Sequence, residues 1–158
     1  MITPRTLGLL AVGVLIIPLQ AAGEEYLFRG LLMQAIGHWL RAPVWGLLLS
    51  VPLFVFGHSY DAWGLASIGV FAAVATWLTW RTGGLEAAIA MHAVNNAVVF
   101  VMAAFGMGDL NATLTTWWSA LLSSLISVCF AVIFAGWWRR IDGDSRYGRT
   151  STPHRPSC

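Results

Sequence analysis

The chain has 158 residues, with nine Arg, seven Asp or Glu and no Lys, so only 10% are charged against about 25% in an ordinary soluble domain. Hydrophobic residues make up 58% and the mean hydropathy is +0.70, more apolar surface than a globule can hide, since even a 150-residue domain buries only about 70% of its chain surface. A water-soluble enzyme, a disordered tail protein, a disulfide scaffold resting on two cysteines and a nucleic-acid binder at net charge +2 are excluded, which leaves an integral membrane protein.

Uncharged runs cover residues 6–23, 30–40, 42–60, 62–80, 87–108 and 110–138. A spanning helix needs about 20 mostly apolar residues, and most of these runs reach or approach that length. The first run, with Arg5 ahead of it and Ala21-Ala22-Gly23 at its end, has the outline of a secretory signal. A charged motif follows it directly and needs it as membrane support, so residues 7–40 are read as one long helical element, bent at Pro18 or Gly23 and carrying Glu24, Glu25 and Arg29 at membrane depth. Further helices are expected at 43–58, 63–80, 85–105 and 113–139, with Thr82-Gly83-Gly84 and Gly106-Met107-Gly108-Asp109 as turns. The expected fold is therefore all-α, a multi-pass transmembrane bundle of about five crossings over residues 1–140, followed by a polar, disordered tail over 141–158. Arg41, Arg81 and the cluster from Arg139 to Arg155 fall on one side, which the positive-inside rule makes cytoplasmic together with the C-terminus. Trp39, Trp45, Trp77, Trp80, Trp137 and Trp138 flank those arginines, as rings at headgroup level should.

Ionisable side chains inside a bilayer cost about 2.5 to 3.5 kcal/mol each on insertion scales and are functional candidates by default. Glu25 and Arg29 are four apart with the acid first, the better orientation for a helical ion pair. Glu24 is rotated by about 100° from Glu25 and has no partner in its own helix, which suits a general acid or base fed by other helices. The same three residues would also serve as a structural polar knot. His58 ends an apolar helix one turn after Phe54, where a histidine is often simply solvated or bonded to backbone. His92 and Asn96 share one helix face and could equally be hydrogen-bond glue between helices. Lipid drives such groups together, so one inward cluster of Glu24, His58, His92 and Asn96 is expected. Its depth is awkward with five full crossings, because His58 lies near the outer face and His92 only about 11 Å from the inner one.

Taken in order, Glu24-Glu25-x-x-x-Arg29-Gly30, Phe54-x-x-x-His58 and His92-x-x-x-Asn96 resemble the motifs of the CPBP family of CAAX-protease and bacteriocin-processing membrane proteins, also called ABI or Rce1-like. The resemblance covers residues from about 20 to 100. Members carry further helices before the double-glutamate helix, so this chain is expected to be short at its N-terminus. It implies a glutamate-dependent intramembrane endopeptidase without a cofactor, acting on a peptide or membrane-protein substrate, while arginine without lysine and abundant Ala, Gly and Trp suggest a bacterial gene and so a bacterial inner membrane. Glu24 and His58 would hold and activate water, His92 and Asn96 would bind the oxyanion, and Glu25 and Arg29 would support the helix. Two alternatives stand beside it: a zinc-dependent protease using Glu24, His58 and His92, and a non-catalytic immunity or scaffold protein on the same fold. The sequence sets neither substrate nor oligomeric state.

Overall fold

The computed structural model describes residues 2–107 and 113–150. Thr3 caps the first helix through its hydroxyl, which accepts from the Thr6 backbone N–H at 3.1 Å, and Pro4 occupies the first turn, where its missing N–H costs nothing. Helix α1 (Pro4–Glu25) passes through Pro18 and Gly23 and continues as a π-helical segment (Tyr26–Leu32) and helix α2 (Met33–Trp39). One helical stretch of 36 residues results, as the sequence suggests. Its departure from α geometry lies at the π segment carrying Arg29, not at Pro18 or Gly23, and π turns of this kind commonly accompany functional side chains.

A tight turn follows, with Arg41 in the left-handed region at φ 56°, and Pro43 opens helix α3 (Pro43–Phe56). Helix α4 (Ala62–Thr82) starts at Asp61, whose carboxylate accepts from the Gly64 backbone N–H at 3.0 Å, and ends at Gly83, whose φ of 73° satisfies the last turn. Helix α5 spans Glu86–Ala104 and helix α6 Trp117–Thr150. No strand occurs among the described residues. Part of the turn expected after α5, Gly108 and Asp109, lies outside them. The last helix runs about ten residues past its expected end, to Thr150, and 151–158 lies outside the described residues.

Four helical stretches are long and apolar enough to cross a bilayer: Pro4–Trp39, Ala62–Thr82, Glu86–Ala104 and Trp117–Trp138. The fifth expected crossing is α3, whose 14 residues extend only about 21 Å, short of a hydrocarbon layer of about 30 Å. Four of the five expected helices thus have full spanning length, and α3 is a shorter apolar helix.

Helix α4 occupies the centre, packed on α3, α5 and α6, while α1 runs along α5. The core joins Ala72, Ala75 and Leu78 of α4 to Ala87, Ala88 and Met91 of α5, Phe54 and Phe71, and Ala131 of α6. Alanines at these positions let helix backbones approach, which matters where lipid removes the hydrophobic drive for association. Leu15, Leu19, Val14 and Ile133 instead face outward, as expected of a lipid-facing surface. The chain is a multi-pass membrane protein.

Two substitutions test this architecture. A Cβ on Gly46 would collide with the Met33 carbonyl oxygen, whereas one on Gly8 meets nothing within 4 Å. Gly46→Ala is expected to lower the thermal midpoint in detergent by several degrees, the equivalent of about 1 to 3 kcal/mol of overpacking, and Gly8→Ala to leave it unchanged. At Asp61, the Gly64 N–H bond holds the carboxyl below the usual carboxylate range. Its contribution is therefore present above the unfolded value of about 3.9 and lost as pH falls through the lower folded value. Asp61→Ala should lower the midpoint at pH 7 and converge on the wild type in acid, with Asp61→Asn retaining the cap throughout.

Candidate active site

The end of α1 and the π segment bring Glu25 and Arg29 into the interior, 0% and 1% exposed. Arg29 Nη1 donates to Glu25 Oε1 at 3.0 Å, the ion pair read from the sequence, and Nη2 donates to the Ala72 carbonyl of α4 at 3.2 Å. The guanidinium also lies 4.3 Å from the centre of the Phe54 ring, a cation–π contact with α3. The same Glu25 oxygen accepts from His92 Nδ1 of α5 at 2.8 Å. One carboxylate therefore ties α1 to α5, while its arginine ties α1 to α3 and α4. Phe71 and Phe54 hold the His92 ring edge-on, with centroids 4.8 and 6.0 Å away.

With Nδ1–H given to Glu25, the other nitrogen of His92, Nε2, is left 3.8 Å from Glu24 Oε2. That oxygen is buried and has no hydrogen-bond partner. The imidazole nitrogen and the carboxylate oxygen thus face each other beyond direct hydrogen-bond distance. The second Glu24 oxygen, Oε1, accepts from the Gln20 side-chain amide one turn earlier. Gln20 Oε1 in turn accepts from Asn96 Nδ2 at 3.0 Å. Gln20 is the residue that sequence reading passed over. Its signal was present, an isolated amide inside an apolar run at i−4 from the unpaired glutamate.

His58 donates Nδ1–H to the Phe54 carbonyl at 2.8 Å, which fixes its tautomer and leaves Nε2 free of its own helix. Together with His92, Asn96 and Gln20 it lines a cavity of about 520 Å³, completed by residues that include Tyr60, Thr115 and Ser123. Three of the four expected site residues thus share one cavity wall. Glu24 is not part of that wall and touches it through His92 and Gln20. The imidazole nearest Glu24 by direct approach is that of His92. Among the described residues no three His, Cys, Asp or Glu side chains come together as a metal-binding set.

A helical membrane bundle with an acid–imidazole–amide cluster beside a cavity is the class that fold and site define. Residues 6–98 match the family model described as "Type II CAAX prenyl endopeptidase Rce1-like", and the chain belongs to that family. It is also similar to the "Uncharacterized protein YyaK" of Bacillus subtilis (strain 168), 32% identical over 99 residues, covering 58% of this chain and 33% of YyaK. The chain thus matches about a third of the length of that curated relative. No solved structure matches.

The buried ion pair makes a sharp thermodynamic expectation. Arg29→Met strands the Glu25 carboxylate and should cost about 3 to 5 kcal/mol of stability, whereas Glu25→Gln/Arg29→Met, which removes both charges, should recover most of it. Thermal unfolding of the purified variants in one detergent measures the difference.

Proposed function

We propose that the protein is a membrane-embedded peptidase that hydrolyses a peptide bond with a water activated at Glu24, without a covalent enzyme intermediate. The observation that carries this reading is the 3.8 Å approach of Glu24 Oε2 to His92 Nε2 beside a cavity that Asn96 and His58 also line. Family membership supports it independently.

In this scheme Glu24 takes a proton from water, and the hydroxide attacks the carbonyl carbon of the scissile bond. Negative charge then grows on the carbonyl oxygen. Asn96 has one N–H engaged with Gln20 and a second to offer, and His92, held by Glu25 at Nδ1, donates through Nε2 in its protonated form. As the C–N bond breaks, the proton held at Glu24 passes to the departing amine. His58, with its Nε2 unencumbered, orients the attacking water or relays that proton. Glu25 is balanced against Arg29. Substrate is a peptide or membrane-protein segment presented within the bilayer, and the arginine-bearing ends at Arg41, Arg81 and Arg140 lie on the cytoplasmic side of a bacterial inner membrane.

A cleavage assay in detergent on a library of membrane-tethered peptides tests the reading. Glu24→Gln is expected to lower the rate by about 10² to 10⁴-fold, and Asn96→Ala by about 10²-fold through kcat. Chelators should leave the wild-type rate unchanged. Cleavage by Glu24→Gln at the wild-type rate, with both proteins folded, would remove the proposal.

A further inference from the structure

We propose that Gln20 is a positioning residue that joins the two halves of the site, assigning separate duties to the two oxygens of Glu24 and holding the Asn96 amide in one orientation. The direction of the chain Asn96–Gln20–Glu24 follows from chemistry. An ionised carboxylate only accepts hydrogen bonds, so the end of Gln20 that meets Glu24 Oε1 is its NH₂ group. The opposite end is then the carbonyl oxygen, which only accepts, and the Asn96 group 3.0 Å from it is the donor Nδ2. One carboxylate thereby sets the orientation of two amides on two helices.

Three consequences attach to the reaction. Glu24 Oε1 is occupied, which leaves Oε2, without a hydrogen-bond partner and 3.8 Å from His92, as the oxygen with lone pairs open to a proton. Asn96 cannot flip its amide without placing oxygen against oxygen at Gln20, so its remaining N–H stays available. Glu24 on α1 and Asn96 on α5 then keep a fixed separation across the interface between the two helices. Gln20 itself lines the cavity and carries no charge, so it performs this without adding an ion to the bilayer interior.

Gln20→Met keeps length and shape while removing donor and acceptor, and Gln20→Glu keeps an acceptor for Asn96 while removing the donor to Glu24. The first measurement does not depend on the peptidase reading. Dicyclohexylcarbodiimide attacks protonated carboxyl groups in apolar surroundings, and mass spectrometry of the labelled protein reads Glu24 directly. Loss of a hydrogen bond to the charged form should raise Glu24 labelling about tenfold in both variants. Unchanged labelling overturns the proposal. The second measurement, which rests on the peptidase reading, is cleavage of a membrane-tethered peptide. Gln20→Met should lower kcat roughly tenfold with KM within about twofold. Gln20→Met/Asn96→Ala should lose less than the product of the single losses, because both act through one amide. Additive losses, or a kcat loss matched by a fall in thermal midpoint, overturn it. If labelling responds while wild type cleaves nothing, the Gln20 link stands and the peptidase reading fails. If cleavage proceeds and labelling does not move, the reverse holds.

Discussion

A carboxylate that lipid cannot solvate governs this structure. Glu25 is fully buried, and leaving its charge without partners would cost several kcal/mol. Arg29 and His92 answer that demand at one oxygen, and Arg29 carries the demand onward to the Ala72 carbonyl and the Phe54 ring. Through those contacts one side chain fixes the mutual placement of α1, α3, α4 and α5. The π segment belongs to the same account, since it is the stretch of backbone that presents Arg29 to all of these partners. Helix α6 joins by other means, through Ala131 in the core and a 3.5 Å contact from the Ser123 hydroxyl to Asn95.

The fold was largely legible because membrane helices announce themselves by run length. The long first element, the three later long helices and the turns at Gly83 and Gly106 lie within a few residues of where uncharged runs and glycines put them. The status of α3 was not legible. Its uncharged run of residues 42–60 has nearly spanning length, but Gly57 through Asp61 leave the helix, and only the folded backbone shows how much of the run stays helical. Among side chains, the Glu25–Arg29 pair could be read from i,i+4 spacing, which is a local property. The placement of His92 between two glutamates could not, because 67 residues separate it from Glu25 and no spacing rule reaches across a bundle. The carbonyl of Ala72 leaves no trace in sequence at all, since every residue has one.

The two adjacent glutamates divide their work by environment. They differ by one position, yet Glu25 is ion-paired with Arg29 through Oε1 while Glu24 has no arginine partner and faces an imidazole, each keeping its Oε2 without a hydrogen bond. A helix turns about 100° per residue, so consecutive side chains necessarily meet different neighbours, and a doubled acid can supply one anchoring and one reactive carboxyl from the same turn. The anchoring member also conditions the reactive one, because Glu25 fixes the His92 tautomer that Glu24 faces.

The shortness of α3 has a bearing on the surrounding lipid. Just past the end of this 14-residue helix, Asp61 accepts from the Gly64 N–H through its carboxylate and donates its own backbone N–H to the Thr113 carbonyl. Hydrocarbon covers a carboxylate only at a cost, and a helix shorter than the hydrocarbon layer is accommodated by local thinning of the bilayer. Tyr60, next to Asp61, and Thr115 both line the cavity, so headgroups and solvent drawn to this corner lie beside that cavity.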